Sequence, residues 1–338
     1  MELKLSILDQ SPINDGETAT EAFHHTIELA KKAEELGYHR FWVSEHHDSN
    51  QVVGSSPEVL ISHLLAKTER IRIGSGGVML QHYSPYKVAE NFNVLASLAP
   101  GRVDLGIGRA PGGLPRSTKA LQQEAGNRTT PLSEKLVELE QFIHDNLDEN
   151  HPLYGLQAYP IPPHPANIYL LGTSTSSAKL AANLGYPYVF AHFINNDDSI
   201  TYDAFETYRK HFNHQKALQA QTILALSVIV ADTDEEAKLL ASDSKIVKIH
   251  MENGKTLTVN SIEKAKEYGQ QSKEKYTIEV KEATIIFGSK ETVRKKLLEV
   301  YNLYKVNELI VTAPIKDFRQ RIHSYELLKE VSLELAVK

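Results

Sequence analysis

The chain has 338 residues, an apolar fraction of 41% and a formal net charge of −6. That length suits two ordinary domains or one large α/β barrel, and the charge, with no long basic run, argues against a nucleic-acid partner. There are no cysteines, which excludes disulfides, thiolate metal sites and cysteine nucleophiles. The amino terminus, with one basic residue ahead of a strand-like run, is not a secretory signal, and no apolar run is long enough to span a bilayer. These features are compatible with a cytoplasmic protein.

Residues 3–8 read as the first strand, left by the loop Asp9-Gln10-Ser11-Pro12. Thr18 and Glu21 form a capping-box pair for a helix reaching residue 36, with Phe23, Ile27, Ala30 and Ala33 on its apolar face and Gly37 at its stop. Phe41-Trp42-Val43 is the second strand and ends in Ser44-Glu45-His46-His47-Asp48. Ser56-Pro57 opens a helix with Leu60, Leu64 and Leu65 inside. The third strand starts as Ile71-Arg72-Ile73-Gly74, breaks at Ser75-Gly76-Gly77 and resumes as Val78-Met79-Leu80. Paired glycines at a buried strand end signal a bulge or a close backbone approach. Ser84 and Pro85 open the next helix, which Pro100-Gly101 stops. Val103-Asp104-Leu105-Gly106-Ile107 is the fourth strand, left by the glycine-rich turn 108–113 with Arg109 in it.

Residues 112–128 are polar and read as loop, and Thr130-Pro131 opens a helix striped with Leu132, Leu136, Leu139, Ile143 and Leu147. A proline-rich stretch, 150–167, is expected to wrap the surface. The fifth strand, 168–171, ends in Gly172-Thr173-Ser174-Thr175-Ser176-Ser177, ahead of a helix over 178–184. The sixth strand, 188–191, ends at His192; the seventh spans 223–231, with Asp232 and Glu235 opening the next helix. The eighth spans 308–312, before a final helix from about residue 315. Eight strand–helix alternations without a composition break predict one domain, a closed (β/α)8 TIM barrel with insertions. Residues 248–283 are charged, weakly periodic and too long for an ordinary connection, which predicts a lid insertion.

Chemistry is suggested where strands end. Arg109 beside glycines suits a phosphate or, equally, a surface salt bridge. Residues 173–177 suit an anion at a helix start or plain N-capping. In a barrel whose ligands gather at one face, the two stretches together favour a phosphate site. Glu45-His46-His47-Asp48 invites a metal, but adjacent residues on an extended strand point to opposite sides, so no metal site is assigned. A catalytic histidine and a hydrogen-bonded structural one both remain open there. His82 and His192 also lie near strand ends.

The ordered set 41–47, 74–80, 100–109 and 171–174 resembles the bacterial luciferase-like flavin monooxygenases, in the branch that includes the MsnO8-type proteins. The resemblance is strongest over residues 3–195. It implies a barrel that binds FMN at the carboxyl ends of its strands, delivered as FMNH2 by a separate reductase, and that reacts with oxygen through a C4a-peroxide. The implied substrate is small and organic, aldehyde-like in luciferase itself, and a homodimer is expected. By position, Gly76 and Gly77 match a non-prolyl cis peptide behind the flavin ring. Arg109, Ser174 and Ser177 match the FMN phosphate site, with the Thr173 backbone. His46 matches a catalytic histidine. Gly108 stands where luciferase has a reactive cysteine, Thr173 where it has a glutamate, and Gln81 where a proline is common. The family also holds F420-dependent oxidoreductases and flavin-binding proteins without turnover, which stay as alternatives.

Overall fold

Strands buried on both faces are what a parallel sheet covered by helices requires, and Val103–Gly108 is buried along its whole length. The computed structural model describes residues 3–123, 130–242, 244–259 and 261–336. Its barrel strands are β1 (Lys4–Asp9), β2 (Arg40–Val43), β3 (Arg72–Met79), β4 (Val103–Gly108), β5 (Asn167–Gly172), β6 (Tyr188–Ala191) and β7 (Thr222–Val230). Each pairs in parallel with the next, and β12 (Glu308–Thr312) lies between β7 and β1, closing an eight-membered ring. The (β/α)8 expectation is therefore met. A further strand absent from the sequence reading, β11 (Ile285–Gly288), pairs with Ser227–Val230 of β7, where β12 ends at Ser227. Its four residues are too few to show a period.

The helices before the long insertion are α1 (Ala19–Glu35), α2 (Pro57–Lys67), α3 (Pro85–Leu98), α4 (Pro115–Leu121), α5 (Leu132–Ile143), α6 (Thr175–Leu184), α7 (Asp198–His211) and α8 (Asp234–Ala241). Thr18 and Glu21 make the full capping box at α1. Ser84 and Ser56 make no side-chain cap; proline at the first turn starts those two helices instead. α4 forms inside the stretch read as loop, again behind a proline; residues 124–128 of that stretch lie outside the described residues. The final helix, α11 (Phe318–Ala336), starts three residues later than expected.

Leu8, Trp42, Tyr169, Val189, Ile223, Ala225 and Ile310 fill the barrel centre. Below them, at the amino-terminal end, Arg40 donates through Nε and Nη2 to both oxygens of Glu308, and through Nη1 to Asp104 and Tyr169. Trp42 Nε1 also donates to Asp104, and Ser6 to Glu308. Burial opposes charge on Arg40, but Asp104 and Glu308 outweigh it and lift the guanidinium further above its ordinary range. The barrel is thus closed from below, and its open end is the other one.

The insertion over 245–282 is not an unanchored charged loop. β8 (Lys245–Met251) pairs antiparallel with β9 (Thr256–Val259) on one side and β10 (Tyr276–Glu282) on the other. With α9 (Ile262–Ser272) they bury Val247, Ile249, Met251, Ala265 and Tyr268 around Leu114, from the loop leaving β4. Alternation of Val247, Ile249 and Met251 with Lys248 and His250 was the missed signal; the charges occupy the other face. Lys264 Nζ donates to the Asp48 carbonyl at 3.1 Å, and the Arg116 amide to Gln271 Oε1 at 3.0 Å, tying α9 to the β2 exit and to α4. After β11, α10 (Lys290–Tyr304) returns the chain to β12.

Candidate active site

Register decides which exits are neighbours. Asp9 pairs with Val43, Val43 with Ser75, Gly76 with Gly106, and Ile107 with Leu170. Residues 44–48, 76–79, 108–113 and 172–177 therefore leave four adjacent strands at one end. Ligands of such barrels gather at this end. A cleft of about 390 Å³ opens at the opposite end, lined by Lys4, Tyr38, His39 and Arg70, and is no part of this site.

β3 runs unbroken through the paired glycines, with a register shift between Gly76 and Val78 and a cis Gly76–Gly77 peptide. A Cβ on Gly77 would lie 2.5 Å from the Gly106 carbonyl oxygen, and one on Gly106 would lie 2.2 Å from that of Ser75. The β3 and β4 backbones approach too closely for side chains, so this wall is flat. Leu8 and Trp42 stand against Gly76 from the barrel interior.

Arg109 is exposed and makes no hydrogen bond or ion pair among the described residues. On the neighbouring exit, Ser174 Oγ accepts from the Ser177 amide and caps α6. Ser174 Oγ also lies 2.9 Å from Ser176 Oγ, a hydroxyl that the sequence reading did not single out. The Ser177 hydroxyl donates to the Ser174 carbonyl at 2.8 Å and lies 2.9 Å from Tyr188 Oη. It therefore braces the helix start from beneath; a Cβ on Gly172 would meet it at 2.1 Å. Asn195 Nδ2, from the β6 exit, donates to the Thr173 carbonyl at 3.0 Å and holds the turn. An unpaired guanidinium, hydroxyls and a helix amino terminus form a donor set for a phosphate. With the side-chain-free wall beside it, the set fits the phosphate and planar ring of FMN.

His46 is half-buried; its amide donates to the Gly54 carbonyl at 2.7 Å, and Nδ1 lies 3.0 Å from Ser44 Oγ. Burial, helped by His47 and opposed by Glu45, pushes its pKa down to about 4. The ring is neutral at pH 7 and acts as a hydrogen-bonding group rather than a cation. His47 turns the other way and bonds Glu45 Oε1 at 2.7 Å. His82 is taken by the Pro111 carbonyl and Gln122, and His192 by Asp198, so neither is presented as His46 is. Among the described residues no group of three or more His, Cys, Asp or Glu could hold a metal ion, and no helix is long and apolar enough to cross a membrane.

Comparison with known proteins agrees with this geometry. The family model for luciferase-like monooxygenases matches residues 1–305. The N-acetyl-S-alkylcysteine monooxygenase of Bacillus subtilis (strain 168) is 44% identical over 331 residues, covering 98% of each chain. The crystal structure of apo-MsnO8 superposes with a TM-score of 0.80 at 33% identity, over 98% of each chain. The FMN complex of the oxygenating constituent of 3,6-diketocamphane monooxygenase from Pseudomonas putida shares the fold, with a TM-score of 0.70 at 18% identity and 98% and 97% coverage. This chain belongs to the luciferase-like monooxygenase family and is a flavin-dependent monooxygenase.

Proposed function

We propose that the chain binds FMNH2, delivered by a separate reductase, at the carboxyl end of the barrel and uses it with oxygen to oxidise a small organic substrate. The observation that carries this is the juxtaposition of unpaired Arg109, the capped α6 terminus and the flat Gly76–Gly77 wall on adjacent exits. Arg109 and Ser174 hold the phosphate, with Ser177 and Asn195 keeping the turn in shape. The backbone of Gly76, Gly77 and Gly106 backs the ring. Bound there, the flavin supplies the two electrons that activate oxygen. The balance is RH + O2 + FMNH2 giving ROH + FMN + H2O.

His46 supplies the nearby hydrogen-bonding atom. Ser44 engages Nδ1, which leaves Nε2 for substrate or flavin, and the low pKa keeps the ring neutral so that it can both donate and accept. The insertion, tied to the β2 and β4 exits, is suited to keeping water from the mouth. N-acetyl-S-alkylcysteines, the compounds for which the Bacillus subtilis relative is named, are the first substrate class, ahead of aldehydes. The reading includes a homodimer, which sedimentation checks.

The test is stopped-flow absorbance of the protein with FMNH2 and oxygen, followed by product analysis with labelled oxygen. Label in an oxidised thioether amino acid or aldehyde supports the reading. Tight binding of oxidised FMN without product would replace it with a flavin carrier. Selective binding of F420 would replace it with a dehydrogenase.

A further inference from the structure

The carboxylate of Glu45 is completely buried, and three donors from two strand exits converge on it. Oε2 accepts the Met79 amide at 3.0 Å, two residues beyond the Gly76–Gly77 peptide. Oε1 accepts the Tyr83 hydroxyl at 2.8 Å and His47 Nε2 at 2.7 Å. A carboxylate only accepts, so Nε2 carries the hydrogen of that bond. The His47 amide in turn donates to the Gly112 carbonyl at 2.8 Å, in the loop that carries Arg109. That loop lies hard against His47: a Cβ on Gly113 would come within 2.8 Å of the His47 carbonyl oxygen.

The turn after β3 is held from outside as well. Lys135 Nζ donates to the carbonyls of Leu80, Gln81 and Tyr83, at 3.1, 3.2 and 2.8 Å. Tyr83 is thus gripped at its carbonyl by α5 and at its hydroxyl by Glu45. A buried carboxylate satisfied only by groups of this kind fixes their relative positions, because releasing any one leaves a desolvated polar atom unpaired.

We propose that Glu45 is the positioning residue of the flavin site: its carboxylate clamps the β2 and β3 exits directly and the β4 exit through His47, setting the Gly76–Gly77 wall and the Arg109 loop in one frame. This rests on the flavin reading above. Glu45 itself touches neither substrate nor cofactor in this role. It acts through Met79 and His47, and so its loss disturbs the ring seat and the phosphate loop together.

Glu45→Ala and Glu45→Gln separate this role from general stability. Glu45→Ala should weaken both FMN and riboflavin by about tenfold or more. In the flavin-free protein it should speed amide exchange over residues 76–83 and 108–114 together, leaving β7 and β12 as they were. Glutamine can present its oxygen to the Met79 amide and its nitrogen to Tyr83 and His47, provided His47 moves its hydrogen to Nδ1. Glu45→Gln should therefore bind both flavins within about threefold of the parent protein while nitrogen NMR shows the His47 tautomer switched. Tyr83→Phe removes one arm only and should give the same exchange pattern in milder form, which carries the test if Glu45→Ala does not fold. Unchanged flavin affinity and unchanged local exchange in the truncated variant would overturn the clamp, as would an unswitched His47 in Glu45→Gln. If the parent chain binds no flavin, the functional reading fails while exchange and tautomer still decide the clamp.

Discussion

Arg109→Ala is the sharpest test of the phosphate site, because the fold makes no use of this side chain. It is exposed and unpaired among the described residues, so its removal should shift unfolding stability by no more than about 0.5 kcal/mol. A hydrogen bond to a charged group is worth roughly 1.5–3 kcal/mol, and each 1.4 kcal/mol is about tenfold in affinity. FMN should therefore bind about 10- to 100-fold more weakly to the variant. Exposure lets salt screen the contact, so the gap should narrow as ionic strength rises. Riboflavin lacks the phosphate and should bind both proteins alike. The assay is fluorescence titration of FMN and riboflavin against both proteins, at low and at near-physiological salt. Equal losses for the two flavins, or a loss of FMN binding that salt does not touch, would show that Arg109 acts through the fold.

His46→Ala should leave FMN affinity within a few-fold while lowering coupled product yield by about 10²-fold, at the low end for positioned proton-transfer groups because the ring is a weak base; normal yield would return it to a structural role. His39 and His46 are both lowered to about 4, each chiefly by burial, with Arg40 acting next on His39 and His47 on His46. The unfolded chain then binds more protons than the folded one from pH 6.5 down to about 4, so stability rises with pH across that window. Acidifying from pH 7 to 5 should cost on the order of 1–2 kcal/mol per imidazole, and urea melts of His39→Gln should show a shallower loss; an identical slope would refute the assignment. Leu114→Ala should open a cavity under the insertion costing roughly 2–5 kcal/mol locally. Amide exchange in β8–β10 should then quicken while β7 and β12 keep theirs, and unaltered exchange would show that Leu114 does not anchor it.

Much of the barrel was legible because its signals are local. Capping-box residues such as Thr18 and Glu21, prolines at helix starts and short β-branched runs act within a few residues of themselves. All eight strands of the ring were readable in this way, as were the glycine pair and the hydroxyl-rich exit of β5. The insertion was misread because its charges outnumber its apolar residues, and only pairing in three dimensions shows that the charges share a face. Ser177 was legible as a residue of the turn, but its inward-turned hydroxyl depends on Tyr188, whose position is set by a different strand. Glu45 was quoted in the sequence as a neighbour of two histidines, with nothing nearby to mark it as an acceptor for Met79 and Tyr83. Ser6 and Glu308, 302 positions apart, meet only because β12 closes the ring beside β1. The sequence by itself determined which elements form and where strands end; the tertiary structure decided which polar groups share a buried space, since desolvation makes such groups select partners by position in the fold and not by distance along the chain.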